Sequence, residues 1–443
     1  MPFSAFYAGL TGLKTNAAAL NVIGNNLANV NTVGFKVGRA NFAELFSAGG
    51  GGIGVNRAGT PMQVGLGAQL SGVQQLFSQG ALQPTDVVTD LAIQGRGLFV
   101  LNDRSGGAVY SRAGNFSFDA EGFLVDPNGY RLQGYQDKDA NGRIVSSGTY
   151  GDIQIPAGMT ASPRPTSYFR PEMNLNAGAT PDDPLTAENE GDTPFSTGIT
   201  VYDSKGGPHD VTLVLTPEDT SSPLDGAIDQ WSYEVRIDRS ELSGITTNPD
   251  DPPYYVVDSG ALTFDGSGNL ATPTSNPSLT IPGWANGASA QTITWELFDP
   301  SGTPQVSSVV APSAVSSLTQ DGAAQGLIRA LAIDAEGIVS GVFSNGETIQ
   351  LSQLVVATFN NPGGLLKAGQ NVYTSSIASG PPTQGTANSG ARGSISAQSL
   401  ELSNVEITDQ FTDMIVVERG YQSNSRVIRT VDNLTQEALT LIR

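Results

Sequence analysis

The sequence holds one histidine and no cysteine. Nucleophilic catalysis near neutral pH needs a base that titrates there, usually histidine, which leaves His209 as the single candidate. It stands in Gly-Gly-Pro-His-Asp, before the apolar alternation Val211 to Leu215, and reads as a surface histidine in a turn. No Gly-x-Ser-x-Gly elbow supplies a nucleophile. No lysine follows a glycine, so a phosphate-binding loop of the usual kind is missing. Gly95-Arg96-Gly97 lacks the third glycine that dinucleotide binding needs. Without cysteine there are no disulfides, thiol nucleophiles or thiolate metal sites. One stretch resembles half of a calcium loop: Asp137, Asp139 and Asn141 alternate, and Gly142 follows for a sharp turn. The closing glutamate position holds Gly148, and an Asn-Gly turn between strands explains the same residues. Asp182-Asp183 and Asp250-Asp251 could serve glycoside hydrolysis only across a cleft, and in Pro-rich stretches they read as solvated turns. The expectation is no enzyme, no cofactor and no metal.

The elements that would carry such residues divide by composition. The chain has 443 residues and a net charge of −20, enough for roughly three domains. Acidity argues against nucleic acid as partner, and no apolar run suggests membrane insertion. Between Thr166 and Gly322 there are 22 acids and 4 bases, with all three tryptophans. Trp231, Tyr233, Val235 and Ile237 alternate with Ser232, Glu234, Arg236 and Asp238, the pattern of a half-buried strand. Stretches 180–194 and 248–253 read as loops. The expected fold is mostly β with α-helical termini: paired, coiled-coil-like long helices plus nested β-rich inner and outer domains. The expected boundaries are 1–33 and 403–443 for the helical core, and 34–80 and 374–402 for extended connectors. An inner β-rich domain would span 81–165 and 323–373, and an acidic outer one 166–322.

At the N-terminus Phe6, Leu13, Leu20 and Leu27 recur every seven residues, beside Phe3, Leu10, Ala17 and Gly24. Near the C-terminus Met414, Tyr421 and Ile428 repeat likewise, beside Val417, Asn424 and Val431, and Val427, Leu434 and Leu441 widen the stripe. Such repeats describe helices packed along their length on other helices. Glu401, Glu406, Asp409, Asp413 and Glu418 precede Arg419, Arg426, Arg429 and Arg443, an order that suits the helix dipole. Within-helix pairs and pairs with neighbouring copies are equal expectations for these arginines. Asn25, Asn26 and Asn29 are expected to cap or bend the first helix, and Gly34 to end it. The first 35 residues carry one charge, Lys14. Stripes this wide and this poor in charge point to a polymer core formed with copies of the chain.

Gly24-Asn25-Asn26-Leu27-Ala28-Asn29-Val30-Asn31-Thr32-Val33-Gly34-Phe35-Lys36 resembles the N-terminal signature of bacterial flagellar rod and hook proteins. Glu418-Arg419-Gly420-Tyr421-Gln422-Ser423-Asn424 is similar to their C-terminal motif, and Leu91 to Phe99 and Ser111 to Phe116 to their core-domain motifs. Val201 to Gly206 and Phe343 to Gly346 resemble the hook branch of that family. The resemblance implies a subunit of a curved, flexible tube joining rod to filament and transmitting torque as a universal joint. It also implies extracellular export without a cleaved signal peptide, through the flagellar export apparatus. Implied partners are the chain itself, the distal rod protein, and the hook cap, hook–filament junction and hook-length control proteins. The alternatives are a distal rod component, expected to be shorter, or a surface-displayed carbohydrate-binding or hydrolytic protein.

Overall fold

The computed structural model describes residues 2–45, 65–103, 105–140, 142–181, 194–218, 229–245 and 251–441, without the side chains of residues 2–4, 438, 439 and 441. Much of the loop stretches 180–194 and 248–253 lies outside the described residues. A helix opens the described chain, α1 (Pro2–Ala28), and a second closes it, α2 (Ile407–Leu441); strands fill most of what lies between. At 1.5 Å per residue the helices measure about 40 and 50 Å.

The chain divides into two units. One comprises Met1–Ala157, Ala330–Val342 and Thr348–Arg443; the other comprises Gly158–Arg329 and Phe343–Glu347. Helices, connectors and most of the expected inner segments therefore share the first unit. Its early and late strands pair from the outside inward. Leu82–Pro84 pairs with Ser399–Glu401, Leu91–Gln94 with Ser394–Ala397, and Phe99 of Leu98–Asn102 with Val356 of Thr348–Thr358. Leu98, Val100, Tyr110, Tyr135, Val355 and Tyr373 form a core there. The first connector is a hairpin, Gly38–Glu44 against Ala68–Gln75, which packs on α1.

The second unit contains two five-stranded sheets. In one, Tyr168–Asn176 pairs antiparallel with Ala314–Gln320 and parallel with Val306–Val309. The other is an antiparallel meander through Phe195–Tyr202, Pro208–Pro217, Asp229–Asp238, Tyr254–Phe264 and Leu270–Thr272. Their facing sides share one core, in which Trp231, Trp284 and Trp295 are all buried. Trp295 stacks on Phe169 at 6.2 Å and meets Tyr233 edge-on at 4.9 Å. Trp231, Tyr233, Val235 and Ile237 face inward, as their alternation requires.

One turn recurs through both units. An aspartate is followed three residues later by a glycine at positive φ, between 75° and 88°, at Asp103, Asp119, Asp126, Asp139, Asp203, Asp265, Asp299 and Asp334. The glycine N–H donates to the aspartate carbonyl, closing the turn. The carboxylate accepts the N–H of the residue after the glycine, as Asp265 does from Asn269 at 3.0 Å. Only glycine takes this torsion without strain. Gly302 meets nothing within 4 Å, whereas a Cβ on Gly268 would lie 2.2 Å from the Ser308 carbonyl oxygen. Gly302→Ala is expected to cost about 1–2 kcal/mol, the torsional penalty alone. Gly268→Ala is expected to cost clearly more. Equal losses on denaturant unfolding would show that the close approach does not matter.

Candidate functional site

Where the chain leaves α1 and where it enters α2, the two passages meet at one buried carboxylate. Glu401 ends a strand and is fully buried. Its Oε1 accepts from Lys36 Nζ at 2.6 Å and from the Gly80 N–H at 2.8 Å. Its Oε2 accepts from Arg112 Nε at 2.5 Å. Arg112 Nη2 donates to the carbonyls of Ile93 (2.6 Å) and Gly95 (2.7 Å), and Nη1 donates to that of Gly97. Lys36 Nζ also donates to the Ser78 carbonyl at 2.6 Å. Burial pushes the Lys36 ammonium below its ordinary value, while Glu401 pulls it part of the way back. Glu401 thus belongs to this junction and not to the acidic start of a helix, which is where its charge alone suggested placing it.

Amides lock the same passages. Asn26 is buried and clasps Gly38 from both sides: its Nδ2 donates to the Gly38 carbonyl and its Oδ1 accepts the Gly38 N–H. The same Nδ2 donates to Gln410 of α2 at 2.9 Å. Asn404 Oδ1 accepts the Val37 N–H, and Asn371 Nδ2 donates to the Val33 carbonyl. Asn29 Nδ2 donates to the Asn25 carbonyl, and Thr32 Oγ1 to Asn29 Oδ1. Asn26 therefore neither caps nor bends α1; it ties α1 to the strand that follows and to α2. Gly34 does not end α1, which stops at Ala28. Its φ is +68°, and a Cβ there would lie 2.5 Å from the Ala113 nitrogen, so the chain passes the Arg112 backbone only as glycine. Phe35 is buried beside it, with Lys367 Nζ 5.0 Å over its ring.

From this junction α1 and α2 run antiparallel. Gly9 lies by Ile428, Gly12 by Asn424 and Asn16 by Gly420. Small residues at these contacts bring the two backbones close. Of the expected interface residues, Val431 is buried, while Phe6, Leu10, Leu13, Leu20, Leu27, Met414, Val417 and Ile428 are half-buried. Tyr421 and Leu434 are exposed; the side chains of Phe3 and Leu441 lie outside the described residues. Sequence periodicity missed a further strip: Ile407, Phe411 and Ile415, four residues apart, are each about half exposed (48, 48 and 51 %). Val416, Val427 and Leu434 are exposed on the other flank. Arg419, Arg426 and Arg429 are exposed and pair with no described carboxylate, so the within-helix pairs do not form.

The remaining chemical candidates resolve into structure. His209 is not at the surface: it is buried, stacked on Trp284 at 3.6 Å, with Nε2 3.1 Å from Asp203 and Nδ1 2.8 Å from Glu241. Burial acts to raise the Asp203 carboxyl. Hydrogen bonds from Asn286, His209, Gly207 and Lys205 outweigh it and hold the group down at about 2. Asp139 accepts the Arg143 N–H at 2.8 Å within the recurring turn, while Asn141 lies outside the described residues. Among the described residues no three histidine, aspartate or glutamate side chains are placed to hold one metal ion.

The junction ties both helical segments to a β unit, and α2 keeps apolar side chains exposed on both flanks of the helix pair. Four family descriptions match in chain order. They are "Flagella basal body rod protein" at residues 6–36, "Flagellar hook protein FlgE/F/G D1 domain" at 92–163, "Flagellar basal body protein FlaE D2 domain" at 174–323 and "Flagellar basal body rod FlgEFG protein C-terminal" at 396–441. The flagellar hook protein FlgE of Treponema pallidum is 35% identical over 99% of both chains. That of Salmonella typhimurium is 31% identical over 100% of both. The chain belongs to the flagellar hook protein FlgE family. The crystal structure of the Helicobacter pylori hook protein FlgE2 shares the fold, with a TM-score of 0.50 at 17% identity over 72% of this chain and all of that one. A rod protein FlgG of Bacillus subtilis matches 99% of both chains at 25% identity, so length does not separate hook from rod, contrary to the expectation above.

Glu401→Ala would leave two buried cations unpaired and is expected to cost about 3–5 kcal/mol on denaturant unfolding. A loss below about 1 kcal/mol would remove the junction from its central place. In the second unit, Asp203 is held below its unfolded value, so its contribution is present above about 3.8 and lost as pH falls toward about 2. Acid titration of Asp203→Asn is expected to show a shallower loss of stability across that window than the parent chain. Superimposable curves would contradict it.

Proposed function

We propose that this chain is the repeating subunit of a bacterial flagellar hook, a tube that joins rod to filament and carries torque as a universal joint. The observation that carries the reading is the pair of exposed apolar flanks on α2 beside an α1 nearly free of charge. One partner helix covers one seam, and each further buried side chain of this size contributes about 1.5–3 kcal/mol. Copies of the same pair are the cover that a tube supplies. The seven-residue rows support coiled-coil-like packing within that wall. The four expected segments act as helical core, connectors, inner domain and outer domain in this reading. The net −18 between Thr166 and Gly322 supports weak, hydrated contacts between neighbouring second units, which lets them slide as the tube bends. Hook identity over full length, above that to the rod protein, favours hook over distal rod. The cap, junction, length-control and distal rod proteins are its proposed neighbours. Export through the flagellar channel, to the outside of the cell, suits a chain without cysteine.

Concentrated full-length protein is expected to form tubes visible by electron microscopy. Removal of residues 1–30 and 409–443 is expected to leave a folded, soluble monomer that forms none. Tubes from the truncated chain would overturn the helix-pair assembly.

A further inference from the structure

The charges at the start of α2 and along it are segregated in sequence and, Glu418 apart, around the axis as well. Glu406, Asp409, Asp413 and Glu418 come first, and Arg419, Arg426 and Arg429 follow with no acid between them. Asp432 and Glu437 come after that band. All seven side chains of the two bands are exposed, and none joins an ion pair among the described residues. Like charges stand where they repel: Asp409 and Asp413 are four apart, Arg426 and Arg429 three apart. At 3.6 residues per turn, Glu406, Asp409 and Asp413 fall on one side of the helix and the arginines on the other, roughly 140° away, while Glu418 lies on the arginines' side. The centres of these two groups are about fifteen residues apart, roughly 20 Å along the axis. Neither band can satisfy the other within one molecule, and α1, whose one charge is Lys14, supplies no acid.

We propose that the arginine band of α2 docks against the acidic band of α2 in a second copy of this chain, lying alongside in the same direction and displaced by roughly 20 Å. This rests on the reading of the chain as a self-assembling subunit. Opposite patches on opposite sides give a head-to-tail contact, which does not close on itself and repeats as a helix of copies. Apolar flanks supply adhesion; the charge bands select direction and stagger. A copy in the wrong register sets like charges together and is rejected.

The test compares critical concentrations for assembly by sedimentation, with electron microscopy of the pellets. Variant one carries Arg419→Glu, Arg426→Glu and Arg429→Glu. Variant two carries Glu406→Lys, Asp409→Lys and Asp413→Lys. Variant three replaces the three arginines by Gln, which keeps helix propensity and removes charge. The parent chain is expected to assemble, and variants one and two alone to need at least tenfold more protein. An equimolar mixture of one and two is expected to assemble below the threshold of either, and variant three to fall in between. Parent-like assembly of variant one, or a mixture no better than its components, overturns the docking while leaving the hook reading intact. A parent chain that never forms tubes overturns both.

Discussion

Two cations buried around one carboxylate govern this architecture. Taking Glu401, Lys36 and Arg112 out of water costs several kcal/mol per ion, and their mutual attraction returns that only in one geometry. Such a cluster adds little net stability but heavily penalises every other arrangement. Here it joins residues 365 positions apart, so the exit from α1 and the entry to α2 are fixed relative to each other and to the strand end and turn at 93–97. The amides of Asn26, Asn371 and Asn404 extend the constraint to the neighbouring backbone. Remove the cluster and the helix pair has no defined point of departure.

Beyond the junction the helices are held by shape. Gly9, Gly12 and Gly420 let the antiparallel backbones approach, and among the described residues no buried charge contributes there. That contact covers a single seam of each helix. The exposed strips on α2 are therefore a consequence of pairing one narrow helix with one wide stripe. A monomer in water pays for this with solvated apolar surface, and ordering such helices costs about 1–2 kcal/mol of backbone entropy per residue. Rigidity is concentrated at the junction, and readiness to pack further is concentrated at the helix flanks.

Periodicity made the helices legible, because a seven-residue apolar row needs no knowledge of distant partners. The alternation from Trp231 to Ile237 was legible for the same reason. The junction was not. Glu401 reads as part of the acidic start of the second helix, Lys36 and Arg112 stand only within motifs of resemblance, and nothing local announces that strands pairing outside-in will bury all three together. His209 was misjudged on similar grounds. Its turn is local, but its burial comes from Trp284 and Glu241, far along the chain. Gly34 was noticed as a helix terminator, whereas its conformation serves the passage past Arg112 and Ala113.

The acidity of the chain has a similar double origin. Eight aspartates close turns by accepting backbone N–H groups, and Asp238 caps a short helical turn in the same manner. These positions are structural, which at first sight removes them from any argument about surface field. The hydrogen bonds act the other way. The backbone N–H of Gly107 lowers Asp103, that of Asn269 lowers Asp265, and the Ser240 side chain lowers Asp238. At these three positions the carboxylate is thereby kept ionised further into acid than a free one. At these positions turn and charge are coupled, because the hydrogen bonds that form the turn also favour the ionised carboxylate.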